Sequence, residues 1–337
     1  IRNALMQAAG SAGGTEVYVE DVFSTHLYTG TNASGHAINN GIDLSGEGGL
    51  VWIKSRGGTA RDHRLFDTER GVQKYLTTTA NNAEVTDAFS LTSFNNNGFT
   101  LSDSAELNFL QTYASWTFRK QEGFFDVVKF STTGGGGTQA VSHSLGSIPG
   151  MIILKRLTSS GDQNWYVFHK SVTSPSSDWW INYGMLNSST SFANWGSTTG
   201  ITSAPTSSAI TLSTYYTNTT ADYVAYFFAE GGSDDQIFGD DGDEAIIKTG
   251  SFTGTTSGEV SVNLGFEPQF IIYKLFSNAS SSNNDNWRMH DNMRGWNVNN
   301  RELLNPNVGS AESSLSNTSG YEIKPTSTGF IHEGHGT

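Results

Sequence analysis

Cysteine is absent from the 337 residues, which removes disulfide frameworks and thiolate metal sites. Packing and strand pairing must therefore hold the chain together. Basic residues are scarce: 19 Lys and Arg stand against 32 Asp and Glu, a formal charge of −13. A surface this acidic repels phosphate backbones, so nucleic acid is not an expected partner. No apolar run approaches the roughly 20 residues that cross a bilayer, so no membrane span is expected. Ile1 to Gly14 also lacks the apolar centre of a signal peptide. The sequence opens on Ile1 rather than Met, as an excerpt of a longer chain would. Charged residues reach only 15%, which leaves little room for long amphipathic helices.

What is present is 36% hydrophobic and 12% aromatic residues, 38 Gly, and an excess of Ser, Thr and Asn. β-branched and aromatic side chains fill a pleated face, while Gly and Asn accept the dihedrals of tight turns. The composition therefore points to many short strands. At roughly 150 residues per domain the length suits two or three of them, and internal similarity decides between these.

Three ordered blocks recur. The first is an aromatic strand leading to a turn: Phe23 to Gly30, Phe125 to Thr132 and Ile247 to Gly254. Aligning Tyr28, Phe130 and Phe252 gives spacings of 102 and 122 residues. The second is a polar turn followed by a buried strand ending in lysine, with Lys54, Lys155 and Lys274 spaced by 101 and 119. The third places Asp67, His169 and Asp291 at 102 and 122 again. An alternating strand closes the first two repeats, Tyr113 to Arg119 and Tyr223 to Ala229. Repeat three offers Gly329 to Ile331 but no such closing strand before Thr337, so a neighbour or further sequence is expected to complete its sheet.

The fold expected is all-β: a leader or docking segment over 1–20, then three related jelly-roll-like sandwiches over 21–122, 123–236 and 237–337, the third incomplete. The joins fall near 121–124 and 231–245, with modest interfaces between units. Short helices suit Ile1 to Ala9 and, as an alternative to strand and loop, Asp67 to Tyr75.

Segments at Gly49 to Arg56 (GLVWIKSR), Leu65 to Leu76 (LFDTERGVQKYL), Ser90 to Leu101 (SLTSFNNNGFTL) and Tyr113 to Lys120 (YASWTFRK) resemble a family of virion proteins of marine phages, cyanophages among them. Repeats two and three keep the SLGxxPxxxxxK form at Ser144 to Lys155 and, with Asn263 for Ser, at Asn263 to Lys274. The resemblance implies a structural, tail-fibre-like virion component without assigned catalysis, located on the tail or outer surface. Its implied partners are other virion proteins, further copies of itself, and a glycan or protein of the host surface. The alternatives are a capsid decoration or head-fibre protein and a carbohydrate-binding module.

Catalytic motifs are weak. Gly134 to Gly137 lies between strands and reads as a hairpin loop rather than a phosphate cradle. His332, Glu333 and His335 miss the helical spacing of a zinc site by one residue. Ser144, Ser171 and His169 lack a nucleophile elbow. No cofactor is expected, calcium excepted: Asp234 to Glu244 packs six carboxylates into eleven residues, and Asp240, Asp241 and Asp243 are its candidate ligands. A solvated linker between repeats is the simpler reading of that segment. Asp67 with Arg70, and Asp291 with Arg294, read as loop-locking pairs. Trp52 and Trp116 read as core, whereas Trp179, Trp180 and Trp195 in the divergent middle of repeat two are candidates for surface contact, with core packing as the competing reading.

Overall fold

A computed structural model describes residues 16–159, 161, 163–196, 198–255, 258–277, 285–296, 301–315 and 322–334. The helix expected over Ile1 to Ala9, and most of the leader, lie outside these residues. The described chain is antiparallel β-structure almost throughout, with the short helices α1 (Val19–Val22) and α2 (Thr214–Thr217). Among the described residues no helix is long and apolar enough to cross a membrane.

Repeat 1 supplies β1 (Phe23–Thr29), β2 (His36–Asn39), β3 (Gly49–Ser55), β4 (Arg64–Asp67), β5 (Lys74–Thr77), β6 (Val85–Thr86), β7 (Leu91–Asn95), β8 (Gly98–Leu101) and β9 (Thr112–Arg119). Repeat 2 supplies β10 (Phe125–Thr133), β11 (Gln139–Ser142), β12 (Met151–Arg156), β13 (Trp165–His169), β14 (Asn182–Met185), β15 (Ala193–Asn194), β16 (Ala209–Leu212) and β17 (Thr220–Phe228). Repeat 3 supplies β18 (Gly258–Asn263), β19 (Phe270–Tyr273), β20 (Arg288–Asp291), β21 (Arg301–Leu303), β22 (Ser313–Leu315), β23 (Glu322–Thr326) and β24 (Gly329–Gly334). Asp67 to Tyr75 is thus strand, turn and strand rather than helix.

The large sheet of repeat 1 runs β1-β9-β3-β4-β5-β6, and that of repeat 2 runs β10-β17-β12-β13-β14-β15, the same order on matching strands. A smaller sheet, β2-β8-β7 in repeat 1 and β11-β16 in repeat 2, completes each sandwich. In repeat 3, β18-β24-β23 reproduces the smaller sheet, while β19-β20 and β21-β22 are joined by a bridge between Met289 and Leu304. Gly98 and Gly329 each follow a two-residue hairpin turn and touch the strand beyond it. A Cβ at either would stand 2.0 Å from a carbonyl oxygen, that of Ile38 or Val262, so only glycine fits.

Strands β3 and β12 are buried at every position, with apolar runs over Leu50 to Ile53 and Met151 to Leu154, because both of their faces are covered. One face, with Val51, Ile53 and Phe66 in repeat 1 and Ile152, Leu154 and Phe168 in repeat 2, packs on the repeat's own smaller sheet. The other face builds one core shared by all three repeats, including Trp52, Trp116, Trp165, Tyr226, Trp287 and Met289. Phe118 of repeat 1 meets Phe125 and Phe228 of repeat 2 at 5.6 Å and Phe270 of repeat 3 at 6.0 Å.

Two expectations are corrected here. β9 ends at Arg119 and β10 begins at Phe125, and the interfaces between the large sheets are not modest. Each large sheet carries a second apolar face that only its neighbours can bury. The aromatic segment Ile247 to Gly254 also forms no strand. Its counterparts β1 and β10 pair with β9 and β17, and no described strand of repeat 3 takes that place.

Candidate functional site

The side chains with the most chemistry converge where the repeats meet. Asp67 ends β4, and its Oδ1 accepts from the Arg70 amide at 2.9 Å. Its Oδ2 accepts from Arg70 Nε at 2.5 Å, with both side chains fully buried. The same Oδ2 accepts from the Tyr226 hydroxyl of repeat 2 at 2.8 Å. Arg70 donates further to the Leu65 carbonyl and pairs with Glu84 at 3.3 Å. Burial works against the Arg70 charge, but Asp67, Tyr226 and Glu84 outweigh it and hold the guanidinium above its usual range. Burial, then Asp67, pushes the Tyr226 phenol well up.

Repeat 3 repeats the arrangement. Asp291 accepts from the Arg294 amide at 2.9 Å and from its Nε at 2.5 Å, while Trp116 Nε1 of repeat 1 donates to Oδ2 at 3.0 Å. Arg294 also pairs with Glu312 at 3.0 Å and lies 5.3 Å over the Trp116 ring. In repeat 2 the corresponding place holds His169. Its Nδ1 accepts from the Ser171 amide at 3.2 Å, and burial brings it down to about 4 against the pull of Glu230. This imidazole is neutral at physiological pH.

A second set of contacts has the same direction. Trp165 Nε1 donates to the Thr77 carbonyl of repeat 1 at 2.8 Å, and Trp287 Nε1 to the Met185 carbonyl of repeat 2 at 2.9 Å. The matching residue in repeat 1 is His63. Its Nδ1 accepts from Trp52 Nε1 at 2.9 Å, which leaves the ring proton on Nε2, a buried nitrogen with no hydrogen-bond partner among the described residues. Burial drives His63 well below the usual imidazole range, with Lys54 and Arg294 adding to the effect.

The three repeated lysines act alike. Lys54 donates to the Arg61 carbonyl and, at 3.1 Å, to Gly309 of repeat 3. Lys155 donates to the Gln163 carbonyl. Lys274 donates at 2.6 Å both to Asp285 and to Ser189 of repeat 2. Burial lowers Lys54 and Lys274 to about 8. Repeat 2 thus holds repeat 1, repeat 3 holds repeat 2, and repeat 1 holds repeat 3. Three like units joined head to tail close into a ring. The loop-locking role read for Asp67 with Arg70 and Asp291 with Arg294 is present, and each lock carries a bond from the next repeat. Sequence reasoning missed the parts of Tyr226 and His63. Only the 102-residue offset from His63 to Trp165 signalled the latter.

The surface candidates fare differently. Trp179 is 7% exposed and belongs to the repeat 2 core, so its assignment to surface contact is corrected. Trp180 is half-buried and meets Trp179 edge-on. Trp195 stacks on Tyr183 with centroids 4.1 Å apart, and a Cβ on Gly200 would stand 2.6 Å from its Cε3. Trp195 is half-buried and packs against the repeat 2 core. Asp240 accepts from the Tyr18 hydroxyl at 2.5 Å, which fastens the acidic segment to the start of repeat 1. Asp241 and Asp243 are exposed, and among the described residues no group of three or more acidic or histidine side chains could hold a metal. Ser171 meets His169 only through its amide, while the Ser144 amide is bound to Asp126 at 2.7 Å.

A family model, a domain of unknown function (DUF7483), matches residues 19–333. No curated protein and no solved structure matches the chain.

Proposed function

The chain belongs to the DUF7483 family, and we propose that it is a non-enzymatic structural protein of a marine phage virion, carried on a tail fibre or similar appendage and serving assembly and host attachment. The observation that carries this reading is the closed ring. Asp67, Arg70, Asp291, Arg294, Lys54 and Lys274 are engaged with each other or with backbone carbonyls, so the buried charges brace repeats rather than converge on a substrate cleft. The resemblance of GLVWIKSR, LFDTERGVQKYL and YASWTFRK to virion segments supports it further. A braced module whose loops face solvent suits an appendage.

Antibody-gold labelling of intact particles tests the reading. Label on tail appendages is expected. Label on the capsid would instead support a decoration or head-fibre role, and unlabelled particles would defeat both. Purified protein is also expected to release no product from polysaccharides, peptides or esters; turnover abolished by one substitution would contradict the non-enzymatic reading.

A further inference from the structure

The two complete large sheets show what an intact one contains. In β3 and β12 every residue is buried, because β9 and β17 pair along one edge and β4 and β13 along the other. In β19 all four residues are half-buried. Strand β20 pairs with it on one side, and among the described residues no strand pairs on the other. The sandwich core of repeat 3 is thin accordingly. Its described part has three buried residues, Trp296, Ile323 and Phe330, against twelve in repeat 1 and sixteen in repeat 2.

We propose that the open edge of β19 receives one antiparallel β-strand from a neighbouring polypeptide, an extended segment apolar on both faces with aromatic residues in the pattern of β9 and β17. This inference goes beyond the virion reading and does not depend on it. The occupant's chemistry follows from the two strands that already fill the equivalent places. Tyr113, Tyr223 and Phe227 point into their own sandwich cores, while Trp116, Phe118, Tyr226 and Phe228 point into the shared core. A strand seated on β19 would do both, thickening the thin core and extending the shared one, and main-chain bonds would add affinity.

Register adds one specificity. Trp116 lies opposite Trp52, and Tyr226 opposite Ile153; the corresponding residue of β19 is Ile272. In the filled places this position carries a hydrogen-bond donor for a buried aspartate of the preceding repeat around the ring. The third such place holds neutral His169 instead, so the occupant needs an apolar or aromatic side chain there and no donor.

The test uses the full chain and three synthetic peptides: a copy of Thr220–Glu230, the same peptide with Tyr226→Phe, and the same with Tyr226→Pro. Hydrogen exchange is read at Phe270, Ile271 and Ile272, with β3 and β12 as internal markers of folding. The first two peptides should bind with equal affinity and slow exchange of the β19 amides that point away from β20 at least tenfold. The proline peptide should not bind. Three results would overturn the proposal: β19 amides already as protected as those of β3 without peptide, meaning that this chain fills its own edge; no binding while β3 and β12 remain protected; or equal binding of the proline peptide, meaning non-specific apolar adhesion.

Discussion

Single side chains hold this molecule together through buried charge, and that makes the effects of substitution specific. Tyr226→Phe removes the hydroxyl donated to Asp67 while keeping the ring in the shared core. A hydrogen bond to a charged group is worth about 1.5–3 kcal/mol, and denaturant unfolding should show a loss of that size. Asp67→Ala should cost more, about 3–5 kcal/mol, because it leaves Arg70 charged and buried. Imidazoles held neutral by burial give a pH dependence, His63 and His169 among them. Burial lowers His63 and His169 below the ordinary 6.5, His169 to about 4. As pH falls below about 6.5 the unfolded chain takes up these protons first, so the stability they contribute is complete above that pH and lost toward about 4. The denaturation midpoint should therefore drop between about pH 6.5 and 5, and a His63→Gln, His169→Gln variant should show a shallower slope there.

At the scale of strands and turns, much was legible. The alternation in Tyr113 to Arg119 and the lysine-ended apolar runs gave β9 and β3 with β12, because each depends on local periodicity; the hairpin turn before Gly98 is visible only in the structure. The constraint at that turn is testable: Gly98→Ala should lose more than about 1 kcal/mol, given its φ of +126° and the Ile38 carbonyl 2.0 Å from the added carbon. The same substitution at Gly135, where nothing lies within 4 Å, should change the denaturation midpoint far less. Ile247 to Gly254 misled for a physical reason. It has a strand's composition, but a strand exists only where a partner pairs with it. The tryptophans in repeat 2 left surface contact and core packing both open, because composition does not reveal which faces are covered. Trp195→Ala should remove partly buried packing and destabilise by about 0.5–3 kcal/mol, and a glycan array should show no loss of binding beyond what that unfolding explains.

For the whole molecule, the recurring offsets were readable and the contacts between the units were not. Equal offsets reveal that units repeat, but the bonds from Tyr226 to Asp67 and from Trp116 to Asp291 span 159 and 175 residues. They join chemically different donors, so no spacing announces them. The consequence of closure is cooperativity: with one apolar core common to three repeats, unfolding should follow a single transition by fluorescence and circular dichroism alike. Independent beads on a string would give separate ones.

The closing contact between repeats 1 and 3 can be tested by itself, because the chain has no cysteine of its own. A Cβ on Gly309 would lie 4.0 Å from the Asp62 Cα, within the reach of a disulfide, and Asp62 is exposed. An Asp62→Cys, Gly309→Cys double variant should therefore oxidise to an intramolecular disulfide under mild conditions, read as faster migration on a non-reducing gel and one fewer pair of free thiols. A variant that folds normally yet keeps both thiols free, or cross-links only between molecules, would contradict the closed ring.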